Sequence, residues 1–302
     1  LPLFVYIKIK NDAGEITHSI LNTNYLFIGV LVMAVIGAAG LFICSKWTKE
    51  RLTVEYEAKS KQQIKNTLRM LLKNRPFIVI CLVSMLTITL DMFVKSQFVY
   101  LFKDYFKKPE LYSYVIIITY APMSIILPFI NKISMRIGKK ALCSYGLLIA
   151  AISYLGLFLI KTTNPIVFFA FCAISGGGLM ILLIQIWAFA GDVTDYQEYL
   201  SGTRDEGTTY SFFTFVRKLG HTLAGFLTTF SLFLIDYDAK KGAQSAESVS
   251  KLYDLTTLIP FIITLLLFIL MKYLYPLGKK EMEEIAERRQ TIREEKLSEI
   301  TD

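Results

Sequence analysis

The sequence predicts an all-α integral membrane protein with about seven transmembrane helices, and two observations carry that prediction. The first is run length. Residues 25–44, 76–102, 141–160, 165–190, 222–235 and 255–275 are each mostly apolar, and a hydrocarbon core about 30 Å thick takes roughly 20 helical residues to cross. The second is composition. The chain is 54% hydrophobic with a mean hydropathy of +0.47, whereas a soluble domain confines its apolar residues to stripes because the opposite face must meet water.

Taken in order, the spans are placed at 25–45, 76–102, 112–131, 141–161, 165–190, 209–235 and 253–275. The chain opens Leu1-Pro2-Leu3, with neither an initiator Met nor a charged segment ahead of an apolar core, so no signal peptide is read there. Leu1–Ile9 is too short to cross and is read as the tail of a helix cut off upstream, which makes the chain an N-terminally truncated piece. The longest connection, 46–75, is basic. Its Ile64, Leu68, Leu71 and Leu72 recur at helical spacing between Lys65, Arg69 and Lys73, a pattern suited to a helix lying on the inner leaflet. The segment after Gly278 is dense in Glu, Lys and Arg and is expected to be a solvated helix.

Alternate connections hold unequal positive charge. Loops 46–75, 131–140 and around Arg204, with the C-terminal tail, carry about twice the Lys and Arg of the other side, which places them and the C-terminus in the cytoplasm. The net charge of +8 is thereby a topology signal and not a nucleic-acid one. Cys44, Cys81, Cys143 and Cys172 all fall in apolar runs without metal-ligand spacing, and are read as small apolar residues. No metal or catalytic site is expected.

Ionisable residues inside spans are costly and mark polar paths. Asp91 and Lys95 stand one helical turn apart, as an internal ion pair or as two groups lining an aqueous cavity. Lys218 lies about nine residues into its span, roughly 13 Å deep, with Thr214 one turn away on the same face. Arg217 points about 100° aside. On 165–190, Gly176-Gly177-Gly178 would loosen the helix or let neighbours approach closely. Beyond it come Gln185 and Trp187; the indole is either a platform for a sugar ring or an interface anchor. At the end of that span Asp192, Asp195, Tyr196 and Glu198, followed by Arg204 and Glu206, can pair with basic loops of neighbouring helices and hold a mouth shut, or form a solvated acidic loop.

The segment Gly191–Gly220 (GDVTDYQEYLSGTRDEGTTYSFFTFVRKLG) supplies Asp192, Asp195, Tyr196, Glu198, Gly202, Arg204, Glu206, Tyr210, Ser211, Thr214, Lys218 and Gly220 at ungapped spacing. It resembles the glycoside–pentoside–hexuronide:cation symporters, the melibiose permease-like family of the major facilitator superfamily. One span, a long basic loop and six further spans fit helices 6–12 of such a 12-helix transporter. The resemblance implies four parts: 1–45 as the end of the N-terminal half (tail of helix 5, then helix 6), 46–75 as the central cytoplasmic loop, 76–276 as the C-terminal six-helix bundle, and 277–302 as a charged cytoplasmic tail. It also implies a sugar or glycoside substrate touching Thr214 and Lys218, and a coupling Na⁺ or H⁺ bound by the missing N-terminal half. No further cofactor and no nucleic-acid partner are expected; the partners are membrane lipids and that missing half, in the plasma membrane. Surplus positive charge from Lys95, Arg217 and Lys218 against Asp91 favours an acidic sugar such as a uronide. Two alternatives stay open: a symporter of a non-sugar amphiphile such as a lysolipid, and a non-transporting sensor or structural half. An enzyme is disfavoured, because His18 and His221 are the only histidines and no nucleophile–base pair projects from the loops.

Overall fold

A computed structural model describes residues 6–10, 16–21, 23–48, 69–201, 205–238 and 244–288. The chain divides into two units, Leu1–Lys59 and Ser60–Asp302. In the first, strands β1 (Tyr6–Lys10) and β2 (Ile16–Leu21) pair antiparallel from Tyr6↔Leu21 to Lys10↔Ile16, with an irregularity between Ile9 and Lys10. This corrects the expected helix tail at Leu1–Ile9 over its residues 6–9; residues 1–5 lie outside the described residues. Tyr6-Ile7-Lys8-Ile9-Lys10 alternates apolar with polar, and its β-branched residues suit a pleated backbone. The sequence between the strands, Asn11-Asp12-Ala13-Gly14-Glu15, is made largely of turn formers. Helix α1 (Thr23–Trp47) follows and buries no residue within its unit. A helix apolar all round and uncovered by its own unit suits a lipid or helix-packing environment.

The second unit is a bundle of six long helices: α2 (Arg75–Tyr100), α3 (Tyr112–Ile137), α4 (Lys139–Ile160), α5 (Pro165–Ser201), α6 (Glu206–Leu234) and α7 (Ala246–Ile269). One turn of π-helix prolongs α2 over Leu101–Tyr105, and another prolongs α7 over Leu270–Leu274. Among the described residues, six helices are long and apolar enough to cross a membrane: Thr23–Trp47, Arg75–Tyr105, Pro109–Ile137, Lys139–Ile160, Pro165–Leu200 and Ala246–Leu274. The predicted seventh, α6, has 29 residues, or about 43 Å. It has the length, but Arg217, Lys218 and His221 dilute its apolar character.

Helix α2 starts sharply because the Asn74 side chain accepts a hydrogen bond from Phe77 N at 3.1 Å, with Pro76 in the first turn where no backbone donor is missed. Phe77, Ile80, Val83, Leu90 and Phe93 then bury it at the centre of the unit. Helix α3, interrupted by Pro122 and Pro128, buries only Val115, Thr119 and Ile130 and presents the rest outward.

The three glycines of α5 resolve toward close packing. A Cβ at Gly176 would stand 2.1 Å from Thr119 O of α3, and one at Gly178 would stand 2.2 Å from Gly146 O of α4. Two helices thus approach α5 backbone-to-backbone on opposite sides, which no larger residue permits. Between α3 and α4 the chain reverses at Gly138, whose φ of +87° is the conformation that favours glycine.

One end of the bundle is closed by rings: Phe98–Phe168 at 5.4 Å, Phe102–Phe106 at 5.0 Å and Tyr105–Tyr253 at 4.7 Å between centroids. Lys161–Asp254 (2.7 Å) and Tyr237 Oη donating to Asp104 (2.6 Å) tie the same end. Burial, then the Asp104 bond, push the Tyr237 phenol above its usual range. The opposite end differs from expectation in two ways. Helix α5 runs on to Ser201, eleven residues beyond the predicted span end at 190, so Asp192–Glu198 lie on a helix and not in a loop. The segment after Gly278 is helical over 279–288 (α8), yet it is not simply solvated: Ile285 is buried, and Met282 packs on the core. Of the predicted amphipathic helix in the loop 46–75, residues 69–73 are helical with Leu71 buried; Ile64, Lys65 and Leu68 lie outside the described residues.

Candidate functional site

Polar groups gather inside the second unit at two levels and close one of its ends. The first cluster is on α2. Lys95 Nζ meets Asp91 Oδ2 at 2.8 Å, one turn apart on the same helix. The internal ion pair read from the sequence is formed, and both of its side chains also line a small cavity. Tyr120 of α3 completes it: its hydroxyl donates to Asp91 Oδ1, and its ring lies 4.9 Å beneath the Lys95 ammonium. A cavity of about 20 Å³, lined by Thr87, Asp91, Lys95, Thr119, Tyr120 and Tyr154, adjoins the pair. That volume admits about one water molecule.

The second cluster joins α6, α5 and α2. Thr214 and Lys218 share an exposed face of α6. Arg217, turned aside as the helical step requires, reaches α2 and donates through Nη1 to Ser84 Oγ at 3.0 Å. Its guanidinium lies over the Trp187 ring at 5.0 Å and near the Phe213 ring at 5.8 Å. Trp187 is 48% exposed, so the guanidinium leaves much of the indole uncovered. Among the described residues no carboxylate stands within ion-pair distance of Arg217 or Lys218. Gln185 does not join them. It is buried in the bundle, because two residues along a helix from Trp187 is about 200° of rotation. Sequence reading passed over Ser84 and left Arg217 to another face. Arg217's place beside Lys218 on a polar helix was visible, but its partners were not.

The third cluster closes the end where α4 begins. Lys139 Nζ meets Asp192 Oδ2 at 2.5 Å across the α4–α5 gap, with the carboxylate 12% exposed. A lysine in the first turn of a helix is opposed by the helix dipole, and Asp192 offsets that. Asn74 donates through Nδ2 to Gln197 Oε1 at 2.8 Å, tying α5 to the start of α2. Tyr196 and Tyr199 stack at 6.4 Å, and Arg288 of α8 donates to Tyr199 Oη at 3.2 Å. Asp205 caps α6 by accepting from Thr208 N at 3.2 Å. Asp195 and Glu198 are partly buried on α5, and Glu206 is exposed in the first turn of α6. Arg204 lies outside the described residues. A cleft of about 440 Å³ opens beside the pair, lined by Gly138, Lys139, Lys140, Asp192, Lys279 and Glu283 among others. Among the described residues, no group of three or more His, Cys, Asp or Glu is placed to hold a metal ion.

Helices of membrane-crossing length, packed through glycine and carrying charge at mid-depth, define a multi-pass α-helical membrane protein. The chain belongs to the MFS/sugar transport protein family, whose sequence profile matches residues 11–279. It is 28% identical to the glucuronide carrier protein homolog of Escherichia coli K12 over 100% of this chain and 65% of that one. It is also 28% identical to the uncharacterized symporter YjmB of Bacillus subtilis 168, over 85% of this chain and 56% of that one. A putative 2,3-dihydroxypropane-1-sulfonate exporter of E. coli K12 is 28% identical over 88% of this chain and 59% of that one. The resemblance to glycoside:cation symporters read from Gly191–Gly220 is borne out. The chain spans between about half and two thirds of the length of these relatives.

Proposed function

We propose that the protein is part of a secondary transporter that couples Na⁺ or H⁺ to symport of a sugar or glycoside by alternating access in the plasma membrane. The observation that carries this reading is the α6 face. Thr214 and Lys218 stand exposed on a helix packed into the bundle, at positions where the family resemblance puts sugar contacts. A lysine uncompensated by any described carboxylate suits a polar cavity better than a lipid-facing surface. Trp187 offers an apolar plane to a sugar ring beside it. The coupling cation is assigned mainly to the N-terminal half of the transporter, and membrane lipids surround the helices.

The end bearing Lys139, Asp192 and α8 is assigned to the cytoplasm by the distribution of Lys and Arg, with the C-terminus on that side. Lys139–Asp192 and the residues around it are assigned as a gate that closes the inner mouth. An acidic sugar is the favoured substrate. Arg217 and Lys218 are a surplus of positive charge, and two of the relatives are named for organic anions, a glucuronide and a dihydroxypropane sulfonate.

The test is uptake of labelled glycosides by the complete reading frame in proteoliposomes under imposed Na⁺ or proton gradients. Gradient-dependent uptake that falls at least about tenfold in Lys218→Ala, with a smaller loss in Thr214→Ala, is expected. Uptake indifferent to both gradients, or unchanged by Lys218→Ala, overturns the reading. Neutral glycosides displacing the labelled substrate while uronides do not would overturn the acidic-sugar preference alone.

A further inference from the structure

Arg217 is the more telling of the two adjacent cations on α6. Lys218 projects from the exposed face and is free to swing. Arg217 is half-buried and held on two sides. Its Cζ lies over the Trp187 ring, 5.0 Å from the centroid, and 5.8 Å from the Phe213 centroid, and Nη1 is pinned by its bond to Ser84 Oγ at 3.0 Å. Ser84 is itself fully buried on the central helix α2, so the anchor does not move with solvent. A guanidinium has five N–H donors in one plane. The two rings lie against the group and Ser84 takes one donor, which leaves further donors without a described protein acceptor. No described carboxylate neutralises it.

A purely structural role fits this poorly. An arginine kept inside a membrane bundle for packing is ordinarily paired, as Lys95 of α2 is with Asp91, with Tyr120 closing the set. A guanidinium held by two rings and a buried serine, with donors left over, is instead an arrangement that can receive two oxygens of a carboxylate or sulfonate. The half-exposed Trp187 ring, 48% accessible, puts an apolar plane next to that group, where the C–H face of a sugar ring can lie while its acidic substituent reaches the guanidinium.

We infer that Arg217, oriented by Ser84 and Trp187, is the specificity-determining residue that binds the oxyanion of an acidic sugar through paired hydrogen bonds. Lys218 and Thr214 serve the neutral hydroxyl groups common to all glycosides. This rests on the reading of the protein as a sugar transporter.

The experiment uses the complete reading frame, purified and reconstituted. Uptake kinetics are measured for three probes that differ at one carbon: a phenyl glucuronide, the corresponding phenyl glucoside, and the same sugar bearing a 6-sulfonate. Binding of each in detergent is followed by calorimetry. The wild type is expected to prefer both anionic probes to the glucoside. In Arg217→Gln, KM for the anionic probes rises roughly 10- to 100-fold, as for loss of a paired charge-assisted bond, and the acidic-to-neutral ratio of kcat/KM collapses toward one. Arg217→Lys recovers only part of that ratio, because an ammonium keeps the charge and lacks the fork. Ser84→Ala lowers the ratio several-fold, and decides the matter if Arg217→Gln fails to fold.

A wild type that prefers the glucoside overturns the inference. So does an Arg217→Gln that weakens acidic and neutral probes equally, or a Ser84→Ala with an unaltered ratio. Preference for the glucuronide without the sulfonate narrows the ligand to a carboxylate and supports the assignment. Calorimetric binding that depends on Arg217 but comes with no uptake supports it while the transport reading fails; neither binding nor uptake of any probe sinks both.

Discussion

Two lysine–aspartate pairs in this bundle have nearly the same chemistry and opposite topology. Asp91–Lys95 lies within one turn of α2, at 2.8 Å, with side chains 17% and 32% exposed. Asp192–Lys139 joins α5 to α4 at 2.5 Å, with side chains 12% and 32% exposed. No rigid-body motion of helices can open the first, because both partners ride on the same one. The second must break whenever the ends of α4 and α5 part. Burial and distance thus do not separate a structural pair from a conformational one; connectivity does.

The largest expected effect tests the hinge of that argument. If the α4–α5 ends can part, something must hold the two helices together elsewhere, and Gly178 against Gly146 is where they touch backbone to backbone. Gly178→Val places a side chain where even a Cβ would stand 2.2 Å from Gly146 O. A loss on the order of 3 kcal/mol follows, read as a large drop in melting temperature by size-exclusion survival after heating. Unchanged thermal survival would show that the contact does not hold the two helices.

Next in size are the pairs themselves. A double-mutant cycle of Lys139→Ala and Asp192→Ala should give a coupling of about 1–2 kcal/mol, since the carboxylate is largely buried but the ammonium meets water. The cycle on Asp91→Ala and Lys95→Ala should give about 0.5–1 kcal/mol, near the value for a helical i,i+4 pair strengthened by partial burial. The sharper readout is the change on adding substrate. Coupling across α4–α5 should shift if the mouth opens, and coupling along α2 should not. Equal shifts in both cycles would dissolve the distinction between them.

The sequence made some of this legible and hid the rest for identifiable reasons. Asp91 and Lys95 were readable as a pair because four residues on a helix is one turn, a local fact. Tyr120, which completes the set, comes from α3 and has no local signature. The same holds for Arg217: its anchor Ser84 is 133 positions away, and no spacing rule connects them. Gln185 and Trp187 were grouped because they are neighbours in sequence, yet a helix turns them to different sides. The end of α5 was placed too early because charged residues were read as the membrane boundary. The helix continues because the polar side chains find partners there, Asp192 with Lys139 and Gln197 with Asn74. At the other terminus, hydrophobicity alone suggested a helix tail at Leu1–Ile9, whereas alternation in Tyr6–Lys10 was the stronger signal.

The smallest effect concerns α8, and it sharpens the comparison because this contact also crosses between elements. Arg288 lies 5.6 Å from the Tyr199 ring centre and donates to its hydroxyl at 3.2 Å. The contact is exposed, so solvent competes for both groups, and Arg288→Ala should cost no more than about 0.5 kcal/mol. Ile285 is the comparison point on the same helix, because it is 7% exposed. Ile285→Ala should cost about 2 kcal/mol or more through lost burial. If α8 is held by its apolar side, Arg288→Ala leaves protease resistance of the tail intact while Ile285→Ala abolishes it. The reverse order would make the arginine the fastening of α8, through its bond to the Tyr199 hydroxyl and its contact with that ring.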